Sequence, residues 1–288
     1  MPLQCRLFFL IFLMFLTINM NNVSHVNGSP HLSHLPTTQL SKGTVFANRT
    51  VYGAIICTDP KAANLLGRDF KNVPQGVNGT PSDNAWLRIE NAKKMTQELP
   101  FTVETWWSVF LQSCPGRPTK GNDRSVAAAH YQIWADFVYQ GRRGIDRATA
   151  KDSDLMVVFE DDAVAAVKDV KKALQAEFSD MANIDLLFLG WCYGRRNMPM
   201  CTHAYAVTRN GAKKMLSEWD SCSTSSIDGQ WHLMVKQDLF TWRKAKQENY
   251  ADLRPGFEDN PHYFTRGIFI QKNGLVSFNH HGFQNNAG

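Results

Sequence analysis

Asp154-Leu155-Met156-Val157-Val158-Phe159-Glu160-Asp161-Asp162 decides the fold: five apolar residues run into three carboxylates. An apolar run of this length, rich in β-branched side chains, reads as a strand buried on both faces. In open α/β sheets the ligand site lies beyond the carboxyl ends of the strands. The stretch therefore predicts three acids at the rim of a central sheet. Side chains of an extended chain alternate faces, so Glu160 and Asp162 are expected to point the same way. Three adjacent like charges repel one another. A divalent cation would relieve that, because hard cations prefer carboxylate oxygens and keep positions open for phosphate. A simpler reading stands beside this one. Ala163 to Leu174 scans as an amphipathic helix, and Asp162 would be its N-cap.

Outward from this stretch, strands alternate with helices. Val51–Cys57, Phe101–Trp107, Ile184–Trp191 and His203–Val207 read as strands. Asn84–Met95 reads as a helix stopped near Leu99-Pro100. Val126, Ala129, His130, Ile133, Trp134, Phe137 and Val138 recur at helical spacing, with Asp123 or Ser125 as cap and Gly141 suited to the C-terminal end. Arg209-Asn210-Gly211 reads as a turn before a helix from Ala212 to Trp219, and Gly229 to Val235 as a further helix. Lys272-Asn273-Gly274 between Gly267–Gln271 and Leu275–Phe278 is a hairpin signal. The alternation predicts an α/β fold: a Rossmann-like, mostly parallel sheet flanked by helices, in a single catalytic domain.

Composition narrows the class. The 288 residues are 43% apolar, enough for one substantial core. A net charge of +5 without long Lys/Arg runs argues against a nucleic-acid partner. Arg6 precedes a mostly apolar stretch, Leu7 to Ile18, that matches a signal-peptide core and is short for a spanning helix. It reads as a signal peptide or short signal-anchor over residues 1–20, followed by a flexible stem at 21–50 and the catalytic domain at 51–288. Sequons at Asn22, Asn27, Asn48 and Asn78 agree with a glycosylated secretory protein. The expected location is the ER or Golgi lumen. Disulfides form there, and Cys192 with Cys201, bracketing a short loop, is the expected pair. No Cys-x2-Cys pair argues for zinc.

Several motifs, in order across residues 51–280, resemble glycosyltransferase family 25, which includes collagen galactosyltransferases and lipooligosaccharide glycosyltransferases. Arg88 to Phe101 resembles that family's first helix and the turn after it. His130-Tyr131-Gln132-Ile133-Trp134 resembles its Ser-His-x-x-x-Trp helix, and Val158 to Asp162 its Leu-Glu-Asp-Asp. Asp185 to Gly190, Thr202-His203-Ala204-Tyr205, Gly211-Ala212-Lys213-Lys214 and Ile227-Asp228 are similar to its later motifs. The chain departs from the pattern too: Ala129 replaces the Ser, and an insertion separates the first strand from the Arg88 helix. The resemblance implies a GT-A fold, a UDP-sugar donor and Mn²⁺ (or Mg²⁺) at the acidic motif.

These readings assign an expected site. Asp162 contacts the metal, with Glu160 and, by position, His280 (or His281) as further ligands; an exposed C-terminal pair is the plainer reading of the two histidines. Glu160, Asp161, His130 and His203 are the donor-binding candidates. His130 also reads as a hydrogen-bonded core residue, since it lies on an apolar stripe. Asp228 is the expected catalytic base on the acceptor hydroxyl, with a helix cap as its plainer role. Arg195 and Arg196 could meet phosphate or simply form an exposed basic loop. The expected activity is a metal-dependent, inverting hexosyl transfer, galactose or glucose, from a UDP-sugar to a glycan or glycoprotein hydroxyl. The alternative is a secretory glycan-binding or adhesion protein that kept the fold without turnover.

Overall fold

The computed structural model describes residues 43–58, 81–108, 121–139, 151–193, 199–219, 227–246 and 265–271. All lie in one compact unit, Leu40–Gly288. The N-terminal segment, the stem before residue 43, Arg195, Arg196, the Asn273-Gly274 hairpin and His280 lie outside the described residues.

The sheet is built on β2 (Arg49–Thr58) and β4 (Leu155–Glu160), which pair in parallel from Val51↔Leu155 to Ile56↔Glu160. The β-branched run of β4 is buried on both faces, as its sequence requires. On its other edge β2 takes two partners in succession. β1 (Thr44–Phe46) pairs antiparallel with its first residues, and β3 (Val103–Ser108) parallel with the rest. β1 joins β2 through Ala47 and Asn48, both at positive φ (51° and 62°), the conformation that suits a two-residue hairpin. Structure thus begins ahead of Val51, inside the stretch read as stem.

β7 (Pro199–Thr208) runs antiparallel between β4 and β6 (Leu186–Tyr193). β6 carries β8 (Trp242–Lys244) in parallel at its start and β9 (Thr265–Gly267) antiparallel further on. In this eight-stranded sheet β2, β3, β4, β6 and β8 point one way and β1, β7 and β9 the other. The mixed α/β architecture with a mostly parallel sheet is the expected fold class.

Helices cover the sheet. α1 (Pro81–Gln97) packs on β2, and α2 (Gly121–Tyr139) packs on β3 and on α4 (Arg209–Glu218). α2 starts earlier than its apolar spacing implies, so residues 123 and 125 lie within its span rather than at its N-cap position. α4 also begins early: Thr208 accepts from the Gly211 N–H (3.0 Å), drawing Arg209 to Gly211 into the first turn. α5 (Ile227–Lys236) packs on β7.

The face of the sheet carrying Tyr52, Phe188 and Tyr205 is an aromatic layer. Trp231 of α5 meets Tyr205 edge-on at 4.8 Å and Phe188 at 5.4 Å, and stacks on Trp134 of α2. Each such ring pair adds about 0.5–1.5 kcal/mol to its area burial.

The segment after the acids differs from expectation. Residues 163–165 are not helical. They form β5 (Ala163–Ala165), which pairs antiparallel with β10 (Phe269–Gln271) in a separate two-stranded sheet. The helix α3 (Val170–Ser179) begins only after Asp169, whose carboxylate accepts the Lys172 N–H at 2.9 Å. Asp169 is the cap, so Asp162 has no capping role.

Candidate functional site

Parallel alignment of β2 and β4 brings their carboxyl ends together. The Thr58 N–H donates to Asp161 Oδ2 at 3.2 Å. Strand geometry stops at Glu160, and Asp161 and Asp162 form a turn. Alternation therefore does not carry past Glu160, and Glu160 and Asp162, expected to point the same way, meet different partners. Asp161 and Asp162 reach toward α1, while Glu160 reaches toward β7 and α2.

α1 grips the turn with two residues one helical turn apart. Arg88 Nε donates to Asp161 Oδ1 at 2.6 Å, and a terminal guanidinium nitrogen also contacts that oxygen. The same nitrogen lies 3.3 Å from Asp162 Oδ2. The Asn91 amide donates to the carbonyls of Asp161 (2.9 Å) and Ala163 (3.0 Å). Arg88 and Asn91 are both buried. Burial alone would lower the Arg88 guanidinium, but the charges of Asp161 and Asp162 outweigh it and hold it protonated. Burial, and then the neighbouring Asp162 charge, push the Asp161 carboxyl up more than Arg88 and the Thr58 N–H pull it down.

This corrects the reading of Asp161 as a donor ligand. Both of its oxygens are taken by protein groups and it is 2% exposed. Part of the repulsion assigned to a metal is relieved by Arg88. Arg88 was legible as a cation on an apolar stripe, one turn from Ala85 and beside Ile89, Ala92 and Met95, all buried. A buried cation in that setting requires an anion.

Glu160 sits in a different environment. Thr202 Oγ1 donates to its Oε1, and His130 Nε2 faces the same oxygen at 3.5 Å. Burial would raise this carboxyl, but His130, Thr202 and His203 outweigh it and hold it at about 2. Glu160 is the most exposed of the three acids, with 15% of its side chain open against 3% for Asp161 and 8% for Asp162.

Neither histidine is open to solvent. His130 is fully buried, with Nδ1 2.8 Å from the Tyr205 hydroxyl and its ring stacked on Tyr205. The plainer reading of His130 as a hydrogen-bonded core residue describes what is seen. His203 is also fully buried, with Nε2 3.2 Å from the Phe269 carbonyl oxygen. Gly190 makes that approach available: a Cβ there would run into both the His203 ring and the Phe269 carbonyl. Both histidines reach the site through Glu160 or the backbone of β10.

Asp228 lies in the first turn of α5, three residues before Trp231 and hence on the side of that helix that meets Tyr205. It is half-buried. The Gly211–Lys214 motif is structural. A Cβ at Gly211 would sit 2.6 Å from the Asp185 carbonyl oxygen, and Asn210 (3.1 Å) and Lys214 (2.7 Å) both bind the Asp185 carboxylate. Cys192 and Cys201 form the expected disulfide, with Cα atoms 5.4 Å apart. Their sulfurs lie close to His203, but bonded to each other they offer no thiolate to a metal.

Asp162 is the acid of the turn whose chemistry is left open. Its Oδ1 is buried and has no hydrogen-bond partner among the described residues, a costly state for a carboxylate oxygen. A hard cation fits such an oxygen, and Mg²⁺-like ions need only one or two protein carboxylates because they keep waters and take substrate phosphates. Glu160, ionised and partly open beside it in sequence, completes an acidic pair. Among the described residues no helix is long and apolar enough to cross a membrane.

No family model and no curated protein matches this chain. Among solved structures, one described as a glucose-1-phosphate thymidylyltransferase from Bacillus anthracis, in complex with sucrose, matches at 12% identity. The match covers 68% of this chain and 87% of that one at a TM-score of 0.34, too low to bear on activity or substrate.

Proposed function

We propose that this protein is a metal-dependent glycosyltransferase that moves a hexose from a UDP-sugar to a hydroxyl of a glycan or glycoprotein. One observation carries the reading. At the carboxyl-end rim of the central sheet, the Asp161–Asp162 turn is clamped by Arg88 and Asn91, and Asp162 Oδ1 is buried without a hydrogen-bond partner among the described residues. The ordered motifs that resemble glycosyltransferase family 25 support the same reading.

In this proposal Asp162 holds the cation through Oδ1. A bound divalent cation supplies neutralisation of the charge that grows on the leaving diphosphate. Glu160, held ionised by Thr202 and His130, receives a ribose hydroxyl or a water of the donor complex. Arg88 keeps the turn in place and balances Asp161, so that the carboxylates facing the donor retain their charge. Asp228 takes the proton of the acceptor hydroxyl as general base. The Cys192–Cys201 disulfide supports a secretory location. So does Asn48, an exposed sequon residue at the tip of the β1–β2 hairpin.

Thermal unfolding with UDP tests the proposal. A ligand that binds only the native state at about 100 times its Kd stabilises by about 2.7 kcal/mol. UDP should raise Tm only with Mn²⁺ or Mg²⁺ present, and Asp162→Asn should abolish the shift while the protein still unfolds cooperatively. A UDP shift that needs no metal and survives in the variant refutes the assignment.

A further inference from the structure

We propose that Cys201 is a positioning residue: its disulfide with Cys192 locks a bulge into β7, and the bulge carries the Thr202 hydroxyl onto Glu160. The inference rests on the donor site proposed above only for what Glu160 serves; the strand geometry stands by itself.

Regular strand alternation would set Thr202 away from Glu160. Val158 of β4 lies opposite Tyr205 of β7, so these two side chains share a face of the sheet. Glu160, two residues beyond Val158, belongs to the same face. His130 agrees with this, since it meets both Tyr205 (2.8 Å) and Glu160 (3.5 Å). Thr202 lies three residues before Tyr205 and belongs to the opposite face. Yet Thr202 Oγ1 donates to Glu160 Oε1. The chain must leave regular strand geometry for that contact to form.

The pairing of β6 with β7 shows where it does. Gly190 lies opposite Ala204, and Cys192 opposite Met200. Two steps along β6 thus match four along β7, and Cys201, Thr202 and His203 are set against Trp191. Cys201 has φ 71°, a left-handed backbone that a Cβ disfavours and that suits the first residue of a bulge. A regular ladder continued from Gly190 and Ala204 would instead set Cys192 opposite Thr202. Thr202 would then keep to the face of Ala204, and Cys201, its neighbour, would point away from Cys192. Cβ vectors that diverge cannot be bridged. The observed bond, with Cα atoms 5.4 Å apart, is compatible with the bulged register and not with the regular one. Bulges beside functional sites re-aim a side chain; here the side chain is Thr202, the residue after the locked cysteine.

The test compares oxidised full-length wild type with two variants that lack the bond, Cys192→Ser/Cys201→Gly and Cys192→Ser/Cys201→Ala. Glycine adopts φ 71° freely, whereas alanine meets a penalty of about tenfold in population. Cross-strand NOEs without ligand read the register: residue 192 contacts residue 200 when β7 is bulged and residue 202 when it is regular. Wild type and the glycine variant should show the first contact, and the alanine variant the second. Titration with UDP in the presence of Mn²⁺ should find the glycine variant within a few-fold of wild type and the alanine variant weaker by about tenfold. Thr202→Val, with the disulfide intact, should weaken UDP similarly and keep the wild-type register. Wild type reduced by a phosphine keeps the Cβ and loses the bond, so it should follow the alanine variant and replaces it if that variant does not fold. Glycine and alanine variants that behave alike, or reduced wild type that keeps the contact between 192 and 200, overturn the lock. Unchanged UDP affinity in protein of regular register overturns the positioning role. If the registers are as expected but wild type binds no UDP with any divalent cation, the donor-site reading falls and the register lock stands.

Discussion

Replacing Arg88 by methionine removes the one cation that the described structure sets between Asp161 and Asp162 and keeps most of the apolar stem. Removing one partner of a buried ion pair costs about 3–5 kcal/mol, because the remaining charge is left uncompensated. Here the cost should also depend on pH. Without Arg88, the Thr58 N–H is left to oppose the burial and the Asp162 charge that already raise the Asp161 carboxyl. A carboxyl whose folded pKa lies above its unfolded value of about 3.9 binds more protons when folded, so stability falls as pH rises between the two values. In the variant that window extends upward. The deficit relative to wild type should be full at pH 8 and shrink toward pH 5, by up to about 1.4 kcal/mol per pH unit for a single proton. Urea unfolding of both proteins at pH 5, 6, 7 and 8 measures it. A deficit below about 1 kcal/mol, or one that is flat across this range, refutes the argument that Arg88 is the counterion of the turn.

Three further outcomes are expected. Asp228→Asn should lower transfer by about 10²–10⁴ if Asp228 is the base, with UDP affinity unchanged, whereas a mere cap would tolerate Asn; transfer and UDP binding are measured on the same sample. Cys192→Ser with Cys201→Ser should cost about 2–3 kcal/mol by the chain-entropy estimate for a short loop, read from denaturant midpoints, and mapping of the non-reduced wild type that finds both thiols free would defeat this. Gly190→Ala should destabilise by about 1–3 kcal/mol, the usual cost of overpacking, because its Cβ meets the Phe269 carbonyl and the His203 ring; a variant that unfolds at the wild-type denaturant concentration would show that β10 yields there.

The sheet was legible wherever a strand is buried on both faces. β4 and β6 announce themselves by continuous apolar runs, because both of their faces are buried. β8 and β9 span only three residues each and gain their identity from pairing with β6, which no local window contains. The segment Ala163–Ala165 is hidden from a local reading for the same reason. Its spacing suits a helix, and its partner Phe269–Gln271 lies more than 100 residues away. Of the site, the acidic turn was visible as charge following an apolar run. The direction of each acid was not, since the turn at Asp161 ends the alternation on which the reading depended. Arg88 and Asn91 are harder to read, because a polar residue on a helix is ordinarily solvated; only the surrounding buried stripe marks them.

The pairing of β10 with β5 has a consequence for how the chain is made. Residues 269–271 supply both the partner strand for Ala163–Ala165 and the carbonyl that His203 approaches. A ribosome delivers them long after β2, β4, β6 and β7. A nascent chain can therefore assemble most of its sheet while the strand behind the acidic turn is still missing, its edge open to any passing extended segment. The step that finishes the site is then the pairing of a late segment with an early one, a contact of high sequence separation and slow to form. Folding to a stable sheet and acquiring a competent acidic turn should be separable events during synthesis, with the second trailing the first.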